Sequence, residues 1–204
     1  EAGTYPITID KSSVTIGTYT ANYNITVQPG TLTIEKTDEE LTVSLADFTH
    51  VYDGTAYYNT NTAETNELTG TTTVLYATSE DAADEDWTDD LTTITATAVA
   101  DSLTIYVKAT NPNYKNTATD TAALTITARP ITLKANNASN EYTGETITYA
   151  TAEDAEEPYY TITNTAEDEG LAPNQSITAA TLSGEGIEAG TYPITIDKSS
   201  VTIG

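Results

Sequence analysis

Residues 1–17 read EAGTYPITIDKSSVTIG, and residues 188–204 read the same with no substitution. The offset is 187 residues, 188 against 1. Seventeen identities in a row mark a duplication, so the chain spans about one period of a tandem array plus an overlap. A fainter repeat lies inside the period. Asn22-Tyr23-Asn24 with Thr31-Leu32-Thr33-Ile34 matches Asn113-Tyr114-Lys115 with Leu124-Thr125-Ile126, and Val51-Tyr52-Asp53-Gly54-Thr55 matches Glu141-Tyr142-Thr143-Gly144-Glu145, at offsets of 90 to 92 residues. A repeat this short holds one small domain per copy. The expected division is 1–34, the closing strands of a preceding module; 35–127, one complete module; and 128–204, a second module whose last strands are supplied by the equivalents of 18–34. No methionine occurs, and the chain is expected to be a piece of something longer.

Within each module the apolar residues alternate. Leu41, Val43 and Leu45 are separated by Thr42 and Ser44, and Leu103, Ile105 and Val107 by Thr104 and Tyr106. Tyr23, Ile25 and Val27 share one side, as do Leu124 with Ile126 and Tyr192 with Ile194 and Ile196. A period of two puts each set on one face of a strand, with threonine facing water. Threonine supplies 45 of 204 residues and tyrosine 14, and both suit a half-exposed pleated surface. Asp53-Gly54, Pro29-Gly30, Asn111-Pro112-Asn113 and Gly184-Glu185-Gly186 punctuate the strands as turns. The only helical candidate, 79–90, is too polar to bury a face and reads as an acidic loop with at most one turn of helix. The expected class is all-β, built as tandem Ig-like β-sandwich modules in an elongated array. A β-grasp-like module is the alternative, disfavoured because no amphipathic helix is available to cover a single sheet.

Charge removes several function classes. The chain carries 31 Asp and Glu against 7 Lys and Arg, a net charge of −24. Phosphate neutralisation needs basic patches, so a nucleic-acid partner is excluded, and docking on anionic lipid is disfavoured. There is no cysteine, hence no disulfide framework, thiolate zinc site or cysteine nucleophile. No apolar run reaches the length of a membrane-crossing helix, so no membrane insertion is expected.

The motifs resemble a group of bacterial surface repeats. Ala21-Asn22-Tyr23-Asn24-Ile25-Thr26-Val27 followed by Pro29-Gly30-Thr31-Leu32-Thr33-Ile34 is similar to the closing strands of MBG-type repeats of mucus-binding-like adhesins. Residues 189–195 resemble the strand before them, and Arg129-Pro130-Ile131-Thr132-Leu133-Lys134-Ala135 their opening strand. Tyr52-Asp53-Gly54-Thr55 resembles the signature of YDG repeats, and 103–114 resembles Ig-like repeats of Gram-positive surface proteins. Where the opening strand usually leads to a Tyr-Gly pair, this chain has Tyr142-Thr143-Gly144. The resemblance implies an extracellular, cell-surface, non-catalytic stalk or fibre unit of a giant adhesin. Its alternatives are a module that itself touches host mucin or another glycan, and a calcium-stiffened extender.

Acidic runs at 38–40, 81–90, 153–157 and 167–169 offer oxygens of the kind calcium takes, with Asp81, Asp84, Asp86, Asp89, Asp90, Glu167, Asp168 and Glu169 as the candidate ligands. None matches the EF-hand loop, and a solvated acidic coat is the favoured explanation; no cofactor is therefore expected, with Ca2+ left open. Lys134 with Asn22 or Asn24 has the residue types of a stalk isopeptide cross-link, but the alternation points Lys134 away from the core. His50, with Ser44 and Asp47 close in sequence, lacks the spacing of a triad. Trp87 in its acidic run is expected to be a core plug that anchors a loop, and the pairs Tyr57-Tyr58 and Tyr159-Tyr160 are candidate sugar-stacking surfaces. The partners expected are adjacent repeats, head to tail. Strand addition between copies would use Tyr23, Ile25, Val27, Leu32 and Ile34.

Overall fold

The computed structural model describes residues 1–67 and 69–204. The fold is all-β: among the described residues the only helical elements are five three-residue 3-10 turns. The chain divides into two compact units. The first comprises Glu1–Phe48, Tyr58–Thr95 and Leu103–Leu124, and the second Thr49–Tyr57, Ala96–Ser102 and Thr125–Gly204.

In chain order the strands are β1 (Gly3–Ile7), β2 (Gly30–Ile34), β3 (Val43–Ser44), β4 (Phe48–Val51), β5 (Glu64–Thr65), β6 (Thr73–Ala77), β7 (Leu103–Thr110), β8 (Ala118–Thr127), β9 (Leu133–Ala135), β10 (Ile147–Thr148), β11 (Tyr160–Ile162), β12 (Ile177–Ser183), β13 (Glu185–Gly186) and β14 (Thr195–Ile203). One sheet has four strands in the order β4-β8-β7-β6. The others are antiparallel pairs: β1-β2, β3-β5, β9-β11, β10-β13 and β12-β14.

The first unit is built on the strands whose alternation is cleanest. Leu41, Val43 and Leu45 are buried while Thr42 and Ser44 are exposed, and Ile105, Val107 and Ala109 are buried from β7. Ala118, Ala122 and Leu124 are buried from β8, whose small residues let the facing layer approach closely. Polar groups drawn into this core are paired. Asn59, 1% exposed, donates from Nδ2 to the Ala46 carbonyl at 2.8 Å and accepts from the Asn61 amide at 3.0 Å. Asn111 likewise donates to Thr72 Oγ1 at 2.8 Å and accepts from the Asn113 amide at 2.9 Å, which sets the Asn-Pro-Asn turn. Asn59→Leu keeps the branched shape but is bulkier and strips the Asn61 amide of its acceptor, so it should cost the first unit about 2 kcal/mol. Urea unfolding followed by Trp87 fluorescence measures it, and a neutral result would show the side-chain network to be dispensable.

The second unit buries far less. Between residues 128 and 204 only Ala172 and Leu182 are buried apolar residues among those described. Among the described residues fifteen large apolar side chains remain exposed; eight lie in 1–34, which belongs to the first unit, five in 128–204, and only Tyr58 and Val99 between.

The internal repeat is visible in backbone geometry. Gly54 and Gly144 both take positive φ, 86° and 77°. At each, a Cβ would sit 3.9 Å from the hydroxyl of the tyrosine two residues before, Tyr52 or Tyr142. Positive φ is a conformation glycine adopts without strain, which is why both copies keep it there.

Candidate functional site

The candidate site is the repeated segment and the strand edges it offers. Its two copies have one sequence and share one aspartate turn. Asp10 Oδ1 accepts from the Ser12 amide at 2.9 Å and its hydroxyl at 2.7 Å, and Asp197 Oδ1 accepts from Ser199 at the same two distances. The hydroxyls of Ser13 and Ser200 each donate to the aspartate's own carbonyl at 2.7 Å. This aspartate turn needs no distant partner. The serine hydroxyl and then the serine amide hold both carboxyls below the usual aspartate range.

The ladders differ between the copies. In the first, Gly3–Ile7 pairs with β2 in antiparallel register, Gly3 opposite Ile34, Tyr5 opposite Leu32 and Ile7 opposite Gly30, while residues 8–16 form no strand. In the second, residues 190–194 form no strand, while β14 pairs with β12, Ser183 opposite Thr195 and Leu182 opposite Ile196. That ladder breaks register beyond Thr181–Asp197, where the aspartate turn bulges out and Ser200 Oγ accepts from the Thr181 amide at 2.7 Å.

The expected strand-exchange residues fall in two groups. Leu32 and Ile34 lie in β2, roughly half exposed, and are paired within the chain by β1. Tyr23, Ile25 and Val27 lie in 23–29, which forms no strand; Tyr23 is exposed and the other two are half-buried. The alternation in 23–27 is therefore present without the strand expected of it.

The acidic candidates are dispersed. Asp81, Asp84, Asp86, Asp89 and Asp90 are all exposed. Asp84 and Asp86 lie in a 3-10 turn, as the 79–90 reading allowed, and Asp90 caps the next turn by accepting from the Thr92 amide at 3.0 Å. The Thr92 hydroxyl, then its amide, holds the Asp90 carboxyl below its usual range. Around Glu167, Asp168 and Glu169 the loop is organised by a cation from the chain itself. Arg129 Nε donates to the Gly170 carbonyl at 3.2 Å, and Nη2 donates to the Glu169 carbonyl at 3.0 Å and to the Glu167 carbonyl. Glu169 Oε2 accepts from Asn164 Nδ2 at 3.1 Å. Among the described residues no group of three or more His, Cys, Asp or Glu is arranged to hold a metal ion. The Arg129 clamp escaped sequence reading because its acceptors are carbonyls, which leave no mark in a sequence.

Beside that clamp, within the second unit, lies an apolar cavity of about 390 Å³ lined by Val99, Ile131, Leu171 and Ile203 among others. Its polar groups are engaged: Arg129 by the carbonyls just named, and Gln175 Nε2 by the Tyr52 hydroxyl at 2.7 Å.

His50 stacks on Tyr57, ring centroids 3.8 Å apart, and its Nε2 is 3.8 Å from Asp53 Oδ2. Asp53 accepts from the Tyr57 hydroxyl at 2.6 Å and the Thr55 amide at 2.8 Å, which lowers its carboxyl and raises the tyrosine. Asp47 instead accepts from the Ala123 amide at 2.7 Å. The neighbours of His50 thus lock the Tyr52-Asp53-Gly54 turn. Trp87 is only half-buried, a correction to the expected core plug. Its indole donates to the Ala82 carbonyl at 3.3 Å and Lys108 Nζ sits 4.1 Å over its ring, so it ties an acidic loop to β7 by a cation–π contact. Lys134 is exposed, opposite Thr161 in the β9-β11 ladder, as its alternation requires. Tyr58 is exposed, Tyr57, Tyr159 and Tyr160 are half-buried, and Tyr159 packs edge-on against Tyr149 with centroids 5.3 Å apart. No helix among the described residues is long and apolar enough to cross a membrane.

No known family pattern and no curated protein matches this sequence.

Proposed function

We propose that the chain is a non-catalytic structural repeat from the stalk or fibre of a giant bacterial surface adhesin, working outside the cell as a spacer. Its modules are Ig-like β-sandwiches in this reading, strung into an elongated array. The observation that carries it is the duplication of seventeen residues across a period of 187, on an all-β chain whose period itself contains two related modules. Enzymes seldom need such an array, whereas a fibre gains length with each period. The acidic surface supports the reading, because like charge keeps crowded parallel fibres apart and soluble. The side chains with the most chemistry are also turned to structure: Asp53, Tyr57 and His50 brace a turn, and Arg129 clamps a loop.

Small-angle scattering of one-period and two-period proteins tests it. An elongated array should nearly double its radius of gyration on going from one period to two. A compact globule grows by only about 1.3-fold, as chain length to the power 0.38, and that result would overturn the fibre reading.

A further inference from the structure

The first module shows what the repeated segment looks like when a sheet is complete. There one strand, β7, carries two ladders at once: with β8, Leu103 opposite Leu124, and with β6, Tyr76 opposite Val107 and Ala77 opposite Tyr106. The two copies of the segment carry one ladder each. Tyr5 opposite Leu32 corresponds in register to Leu103 opposite Leu124, so that Leu32-Thr33-Ile34 aligns with Leu124-Thr125-Ile126. Leu182 opposite Ile196 and Ser183 opposite Thr195 correspond in register to the β6-β7 pairs. One offset serves both, since 89 residues take Leu103 to Tyr192, the copy of Tyr5, and also take Val107 to Ile196.

We propose that Gly30–Ile34 of one copy pairs with residues 190–194 of a second copy of this chain, Leu32 opposite Tyr192 and Ile34 opposite Gly190, so that one segment joins two periods through both its ladders. The proposal rests on the tandem-repeat reading. Residues 190–194 are identical to the strand that β2 already accepts, and they form no ladder of their own. The two ladders use different residues, 190–194 and 195–203, so they coexist without competition. The occupant also has somewhere to go. Leu124 and Ile126 are at most 1% exposed in the complete sheet, while their counterparts Leu32 and Ile34 are 49% and 46% exposed. Residues 138–141, the counterparts of β4, form no strand, although β4 pairs the far edge of β8. In a continuous array the segment is followed directly by the equivalents of 18–34, and the pairing forms within the chain. Between separate chains β1 competes, with an effective concentration on the order of mM for so short a connection.

The chain has no cysteine, so an introduced pair reports cleanly. Thr4 lies opposite Thr33, which places Thr191 opposite Thr33 of a second copy. Under mild oxidation the 204-residue chain carrying Thr33→Cys and Thr191→Cys should form a reducible ladder of dimers and larger species as protein approaches about 1 mM. Thr4→Cys with Thr33→Cys should close within one chain and serves as the folding control. Thr31→Cys with Thr191→Cys is two residues out of register and should give no more than about a tenth of the ladder. Adding Tyr5→Asp to the in-register pair weakens the competing β1 and should bring the ladder in at roughly tenfold lower concentration. A monomeric Thr33→Cys/Thr191→Cys protein whose control closes would overturn the proposal, as would equal ladders in and out of register. An elongated two-period protein with no in-register ladder would keep the fibre and reject the shared strand, which separates the two failures.

Discussion

Leu124→Ala should destabilise the first unit by about 3 kcal/mol, whereas Leu32→Ala should cost it less than about 1 kcal/mol. The two leucines occupy the same place in the internal repeat, each followed by Thr-Ile and each in an antiparallel ladder of the same register. Their surroundings differ. Leu124 is fully buried in a central strand flanked by β4 and β7, so truncation removes its burial and leaves a cavity in a packed layer. Leu32 is half exposed in a two-stranded ladder, so truncation removes only part of a side chain's transfer energy and leaves no enclosed hole. Trp87 lies in the same unit as both and is the only tryptophan, so urea unfolding read by its fluorescence compares them directly. Equal costs would mean that Leu32 is packed as Leu124 is. In a two-period protein, where the shared strand forms within the chain, the cost of truncating the second period's copy of Leu32 should climb toward that of Leu124.

The alternation of Leu41, Val43 and Leu45 and of Leu103, Ile105 and Val107 translates directly into buried faces, because the partners of those strands, β5 for the first and β6 and β8 for the second, lie nearby in the chain, within 64–127. The aspartate turn at Asp10 and Asp197 is local, built from four consecutive residues, but it lies outside the alternation and the Gly/Pro signals that mark strands and turns. What cannot be read is the ladder around that turn. Seventeen identical residues adopt two pairings, since a strand is stabilised by its cross-strand neighbours more than by its own propensity. For the same reason the alternation of Tyr23, Ile25 and Val27 exists without a strand. The half-burial of Trp87 depends on Lys108 and the Ala82 carbonyl, the first from a strand distant in sequence. The acidic clusters were legible as acids, yet their roles as caps and turns rest on which amide happens to face each carboxylate.

Melting temperature should rise by at least about 5 °C between 0.01 M and 0.5 M salt, and as pH is lowered it should pass through a maximum between about pH 4 and 5. The first half follows from charge: 31 acids face 7 Lys and Arg, and among the described residues one Lys–Asp ion pair, Lys115 with Asp38, is formed. Self-repulsion of that size opposes the compact state, and screening or protonation relieves it until net charge vanishes near the isoelectric point of about 4.1. The second half follows from the depressed carboxyls of Asp10, Asp53, Asp90 and Asp197, each held down chiefly by a side-chain hydroxyl that donates to it. A carboxyl whose folded value lies below its unfolded value contributes stability that is complete above the unfolded value, about 3.9, and is lost as pH falls through the folded one. Repulsion therefore weakens down to about pH 4, and the hydrogen-bonded carboxylates begin to be forfeited below it. Calorimetry across pH 2 to 8 at two salt concentrations separates the terms: the rise toward the maximum should flatten in high salt, while the fall below pH 4 should persist. A steady loss of stability from pH 7 downward would mean that the few pairs and turns outweigh the charge of the whole surface.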